Sequence, residues 1–408
     1  MSTLQAKLTT QGTTYDLTDF TFTWPLNGAI TWSASIPEII ALDFAEDTLF
    51  TLFVSAADYD WYSPPLVASV RTSEKGIGVG DRTQISGVDK WSYLASKADI
   101  DMPAFLSMDA ADIVGQLAAH VGITVEGAPS YKVLEYNAQG GKAIEHIARL
   151  FRDGGYGYKV LLSKIVAFPL KGYSSPGYGD NFIKVVRETY DATQRITSLK
   201  IIKTSKIQTR YQFVFEETGF QTFNLTAPLI SPIVRDLSTS GYVDEIAFFN
   251  SAGVQVGNTI LTHSHTGVVY PPGHGSGGIV SGSCVVYPNP GSTADIYSVL
   301  VVEGTPYGQD LTGIDLSFSV SYDTGTTPAR PASDYIDGTI MPSEEHADGI
   351  KEALFWDKNK KSHTMNFTCD DPIMIFEPGE AIPYGGNTAR IESVNLSKNG
   401  ISLECCVV

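Results

Sequence analysis

The chain has 408 residues, a formal net charge of −17, 43% hydrophobic residues and 18% charged residues. That balance excludes an intrinsically disordered chain, which carries less apolar and more charged sequence. It also argues against a duplex-binding surface, because Lys and Arg never cluster beyond Lys358–Lys361 and affinity for phosphates draws on such clusters.

The length is too great for one core and predicts roughly two to four domains. Its 38 Gly, 20 Tyr and 19 Phe favour turns and strands, so a mostly β protein is expected. The first twelve residues, MSTLQAKLTTQG, lack a basic stretch followed by an apolar core, so no signal peptide is expected there. No apolar run approaches the roughly 18 residues of a membrane span. Folding in a cytoplasm is the corresponding expectation.

Residues 1–95 read as a β domain. Phe20, Phe22 and Trp24 alternate with Asp19, Thr21 and Thr23; after Asn27-Gly28, Ile30, Trp32, Ala34 and Ile36 alternate with Thr31, Ser33 and Ser35. Period-two alternation on both sides of an Asn-Gly turn predicts a hairpin with its apolar face inward. The Thr/Ser face would meet solvent or a neighbouring subunit. Residues 48–54, TLFTLFV, are apolar nearly throughout, which suits a strand covered on both faces.

Residues 96–179 change character. Ser107 is a plausible N-cap, with Asp109 and Asp112 in the first turn, where the helix dipole favours negative charge. Ile113, Val114, Leu117, Ala118 and Val121 form one apolar stripe, stopped by Gly122. Ala143, Ile144, Ile147, Ala148 and Phe151 form a second stripe, ended by Gly154-Gly155. Two short amphipathic helices backed by strands predict a small α+β domain.

From about residue 180 strands return, with Tyr211, Phe213 and Phe215 alternating with Gln212, Val214 and Glu216. Residues 221–330 are β-rich, with the loops YPPGHGSGG (270–278) and YPNPGS (287–292). A helix over 344–356 follows, capped by Ser343 and buried through Ala347, Ile350 and Leu354. The end of the chain is sheet again, with turns at Glu377-Pro378-Gly379 and Gly385-Gly386-Asn387. No repeat of fixed 20–50-residue period is visible.

A search for chemistry finds little. There is no GxxxxGK[ST], GxSxG, HExxH or EF-hand loop. The glycines of GIGVGDR (76–82) do not lead from a strand into a helix, as a dinucleotide site requires. Glu216/Glu217 and Glu344/Glu345 are adjacent, whereas glycoside hydrolysis needs carboxyls facing each other across a sugar. His263-Ser264-His265 would place two imidazoles on one face of a strand, a geometry that can ligate metal; the competing reading is a solvated turn rim. His274 lies nine residues on. His120, His146 and His346 read as structural. Cys284, Cys369, Cys405 and Cys406 lack zinc-ligand spacing and read as buried thiols. No cofactor and no catalytic residue is expected.

The stretch ADIVGQLAAHVGITVEG, followed by a strand and GGKAIEHIARLFRDGGYGYKV, resembles the middle domain of the tail hub proteins of long-tailed bacteriophages and related contractile injection systems. The chain's end, with EPGEAI as a turn into a strand and ARIESV as the returning one, is similar to the close of their second barrel. Residues 211–226 (YQFVFEETGFQTFNLT) and 314–322 (IDLSFSVSY) look like the start and end of a β-sandwich found in tail proteins. The resemblance implies two tube-like β-barrel domains, the first over 1–95 and the second over 180–220 plus 331–408. Between and within them it implies an α+β domain at 96–179 and an inserted β-sandwich at 221–330.

As a function it implies a homotrimer. Three chains would close into a ring joining the sixfold tail tube, or a distal tail protein, to a threefold spike or fibre, beside other baseplate proteins. DNA would pass through the lumen without specific binding, and the protein would reside in the virion after assembly in the host cytoplasm. An alternative is a tail-tip adhesin whose 221–330 region recognises a host carbohydrate through Tyr242, Tyr270, Tyr287, Tyr297 and Tyr307, although tyrosines are also ordinary core residues. A third is a cell-wall hydrolase fused to a hub.

Overall fold

The computed structural model describes residues 4–39, 48–56, 59–74, 81–97, 99–100, 102, 104–174, 183–204, 209–215, 221–236, 243–249, 255–260, 266–268, 279–288, 298–306, 314–315, 317–325, 333–369 and 376–408. The chain divides into two compact units, residues 1–203 with 313–408, and residues 204–312. The protein is mainly β, and none of its described helices is long and apolar enough to cross a membrane.

The N-terminal strands are β1 (Gln5–Thr10), β2 (Thr13–Asp16), β3 (Asp19–Pro25), β4 (Thr31–Ile36), β5 (Leu49–Ala56), β6 (Tyr59–Tyr62), β7 (Leu66–Glu74) and β8 (Arg82–Asp89). The expected hairpin is β3–β4, in register from Asp19↔Ser35 to Thr23↔Thr31. Phe20, Phe22, Trp24, Ile30, Trp32 and Ile36 are buried, while Thr21 and Ser33 bond across the outer face at 2.7 Å. The TLFTLFV segment departs from expectation. β5 pairs antiparallel and sends only alternate residues, Phe50, Leu52 and Val54, into the core, and Leu49 is 41% exposed. A short helix α1 (Lys90–Lys97) follows β8. The carboxylate of buried Asp89 starts it by accepting from Ser92 N–H (2.8 Å), and accepts also from Ile30 N–H (2.9 Å). Burial raises the Asp89 pKa above its ordinary value, although these backbone donors oppose the rise.

Next come β9 (Phe105–Asp109), α2 (Ala110–Val121), β10 (Val125–Glu126), β11 (Lys132–Tyr136), α3 (Ala143–Asp153), β12 (Tyr156–Val160) and β13 (Ile165–Pro169). The α2 cap is Asp109, not Ser107. Pairing of β9 with β11 keeps the chain extended as far as Asp109, whose Oδ1 accepts from Ala111 N–H at 2.8 Å. Gly122 closes α2 at φ +72°, a conformation open to glycine at little cost. Ile113, Leu117, Ile147, Leu150 and Phe151 join the helices to the core of the N-terminal strands.

After β14 (Ile183–Tyr190) and β15 (Ser198–Thr204) the second unit holds β16 (Thr209–Phe215), β17 (Gln221–Asp236), β18 (Val243–Phe249), β19 (Gln255–Ile260), β20 (Thr266–Val268), β21 (Ile279–Pro288) and β22 (Ser298–Pro306). They make a seven-stranded sheet in the order β16-β22-β17-β21-β18-β19, with β20 on β17. Because β16 pairs with β22, Thr209–Phe215 belongs to this unit rather than to a 180–220 segment.

The first unit resumes with β23 (Ser317–Asp323), β24 (Ser333–Asp337), α4 (Glu344–Asn359), β25 (His363–Cys369), β26 (Ala381–Tyr384), β27 (Asn387–Ser397) and β28 (Gly400–Val407). β23, expected to close the inserted sandwich, instead pairs with β15 in a sheet ordered β23-β15-β24. Phe318 and Val320 there cover Leu199, Ile201 and, from α4, Ala347 and Leu354. Ser343 caps α4 as expected, and the helix runs one turn past residue 356. Gly385 and Gly386, both at positive φ, form the tight turn between β26 and β27.

One hydrogen-bonded sheet, ordered β14-β25-β28-β27-β3-β4-β8-β7-β5-β1-β2, carries strands from both segments expected as tube-like barrels. They meet where β27 pairs with β3, Val394 opposite Trp24.

Candidate functional site

A cleft of about 730 Å³ opens between the β3–β4 hairpin tip, the outer edge of β12, the end of α4 and β27. The hairpin tip is held by Asn27. Its N–H donates to Tyr158 O (2.8 Å) and its Oδ1 accepts from Tyr158 N–H (2.6 Å). Asn27 sits at φ +58°, a region Asn tolerates better than other side chains. Gly157 is required beside it, because a Cβ there would lie 1.9 Å from Asn27 Oδ1. Trp24 Nε1 adds a third tie, donating to Val160 O at 2.9 Å.

Charged groups stand along the opposite wall. Behind that wall Arg390, which does not itself line the cleft, is fully buried and donates to Leu170 O (2.6 Å) and Gly172 O (3.1 Å). Its guanidinium pairs with Glu392 and lies 4.1 Å over the Trp356 ring. Lys360 Nζ bridges Glu392 (3.0 Å) and Asp357 (2.9 Å), and the Cys406 thiol donates to Glu392 Oε1 at 3.2 Å. Burial favours protonated Glu392, but Arg390 and Lys360 outweigh it and hold the carboxyl below its usual range. Burial likewise opposes the Lys360 charge, yet Glu392 and Asp357 keep its pKa raised. The Cys406 thiol is driven up by burial and by Glu392. Glu392 and Asp357 are thus tied to a cation and the Cys406 thiol is held protonated, so none of these three groups is poised as base or nucleophile.

Two further clusters stand out. His346, in the first turn of α4, bonds through Nε2 to Asp153 O (2.8 Å) and packs on Tyr131, while Asp153 itself is buried against Arg152 (2.7 Å). Burial lowers the His346 pKa. At the edge strand β14, Glu188 Oε1 accepts from Tyr190 OH and faces His363 Nε2, each at 2.6 Å, and Tyr190 stacks on His363. The sequence carried no signal for that trio, because residues 188 and 363 meet only through β14–β25 pairing.

The sequence candidates fare differently. His263 and His265, the metal candidates, lie outside the described residues, as do His274, Glu216, Glu217, Tyr242, Tyr270, Tyr297, Tyr307 and most of the 76–82 loop. Tyr287 is in β21. Glu344 and Glu345 stand in the first turn of α4, where the helix dipole favours negative charge, and Glu344 N–H donates to Asp315 Oδ2 at 2.7 Å. His146 Nδ1 bonds Tyr136 OH (2.9 Å), and His120 occupies the last turn of α2. Cys369, Cys405 and Cys406 are buried free thiols.

Two solved structures share this fold over nearly the whole chain. The 43 kDa tail protein of prophage MuSo2 from Shewanella oneidensis aligns with a TM-score of 0.56 at 12% identity, covering 100% of this chain and 98% of its own. The tail protein from Neisseria meningitidis MC58 aligns with a TM-score of 0.53 at 8% identity, covering 99% and 96%. The fold is therefore that of phage tail proteins. No family model matches the chain, and no curated protein matches it in sequence.

Proposed function

We propose that this chain is the structural hub of a phage-type tail tip and has no catalytic role. The observation that carries the reading is the end-to-end likeness of its fold to that of the MuSo2 tail protein. The halves of the large sheet act as the two tube-like domains, and three chains close into a ring. That ring joins a sixfold tube, or a distal tail protein, to a threefold spike or fibre within the virion. The outer edges of β14 and β2 end the sheet among the described strands, and ring closure covers edges of this kind. A net charge of −17 suits a channel that DNA traverses without adhering.

Light scattering on the purified protein, followed by negative-stain imaging, tests the ring. The expected result is a trimeric mass with a threefold annulus, alone or on addition of tube or spike proteins. A protein that stays monomeric at high concentration and engages neither partner overturns the proposal.

A further inference from the structure

We infer that the cleft beside Asn27 is a docking groove for an extended, acidic segment of a partner protein. Three observations converge on that occupant. The first is charge. Four cations, Arg152, Lys358, Lys360 and Lys361, line the cleft against three carboxylates, on a chain whose net charge is −17. Lys360 is committed to Glu392 and Asp357, Lys358 to Asp334 and Arg152 to Asp153, whereas Lys361 carries no ion pair among the described residues.

The second is the backbone of β12. In its antiparallel pairing with β13, Gly157 and Lys159 turn their peptide groups inward, and Leu170 N–H continues that pattern on Gly155 O. The even positions therefore face away from β13. Tyr158 is closed by Asn27 and the carbonyl of Val160 by Trp24, but Tyr156 presents its N–H and C=O to the cleft with no partner among the described residues. An unpaired edge is a template for an added strand.

The third is that Asn27 already imitates such an occupant. Its paired bonds to Tyr158 are those a neighbouring strand would make, and the next outward-facing position along β12 is Tyr156, which lines the cleft. The volume of about 730 Å³ suits a few residues of extended chain, within the roughly 300–1,000 Å³ typical of binding pockets. The proposal stands apart from the ring, since a monomeric chain presents the same groove.

Fluorescence anisotropy of a short labelled peptide alternating glutamate and valine, titrated with the full-length protein, tests it. Saturable binding that weakens with added salt is expected, together with no binding of the lysine-for-glutamate peptide. Lys361→Glu should weaken binding about tenfold or more. Tyr156→Pro removes the outward N–H together with the tyrosine ring, at the first position of a strand where proline is tolerated, and should weaken it as well. If Tyr156→Pro does not fold, the Lys361→Glu result and the charge-reversed peptide decide the matter. Absence of saturable binding, or equal affinity for Lys361→Glu, overturns the proposal. So does an oligothymidylate that binds as tightly and competes, because the site would then recognise polyanions at large.

Discussion

Asn27 holds Tyr158 as a neighbouring strand would, giving one backbone N–H and accepting another through its side chain. A hairpin tip thereby closes one position on the edge of a sheet 131 residues further along the chain. The arrangement depends on Gly157, whose missing Cβ makes room for the Asn27 amide.

Gly157→Ala should therefore lower the melting temperature markedly, since the new methyl meets Asn27 Oδ1. Asn27→Ala should cost about 1–3 kcal/mol by leaving a buried N–H unsatisfied. Combining Gly157→Ala with Asn27→Ala removes the clash with Oδ1 and should be less damaging than the sum of the two single changes. Strict additivity in denaturant titrations of all three variants would show that the two residues do not share one constraint.

Fully buried Arg390 pairs with partly buried Glu392, so each offsets part of the cost of burying the other. Arg390→Leu leaves Glu392 with Lys360 as its one remaining cation among the described residues and leaves the carbonyls of Leu170 and Gly172 without the guanidinium donor. A loss of about 3–5 kcal/mol is expected. Arg390→Leu with Glu392→Leu should recover part of that loss. A double variant less stable than the single one sinks the argument.

His346 should make stability depend on pH with a definite sign. Its folded pKa is depressed by burial, so below the ordinary value the unfolded chain binds a proton that the folded chain resists. The stability it contributes is complete above about pH 6.5 and declines as pH falls towards the folded pKa. The advantage of the natural protein over His346→Gln should shrink between about pH 7.5 and 5.5, followed by thermal unfolding. The groups in contact with the ring, Asp153 and Tyr131, remain in both proteins, so the difference reports on the imidazole.

Ser343 accepts from His346 N–H at 3.2 Å and starts α4. Ser343→Ala should cost about 1 kcal/mol, and Ser343→Asp should restore it. If Ser343→Asp melts no higher than Ser343→Ala, capping is not what this position contributes.

Periodicity and turn chemistry made much of the fold legible. The β3–β4 hairpin, the stripes of α2 and α3, the Gly122 stop and the Ser343 cap all depend on residues within a few positions of one another. Local signals misled where a long-range partner decided. Ser107 has capping chemistry, but pairing between β9 and β11 carries the strand past it to Asp109. TLFTLFV is nearly continuous apolar sequence, yet antiparallel pairing on β1 leaves Leu49 outside. No helical pattern marked α1, which depends on the buried Asp89 carboxylate.

The sequence by itself determined where most of the strands and helices form, several of their apolar faces, and that the chain is acidic, because those properties follow from side-chain order and local backbone preference. Only the tertiary structure decided that β27 joins β3, that β23 packs under α4 rather than in the 204–312 unit, and that Glu392 and Lys360 line one cleft with Asn27. Those groupings arise from pairing and burial between residues far apart in the chain, where no periodicity in the sequence reaches.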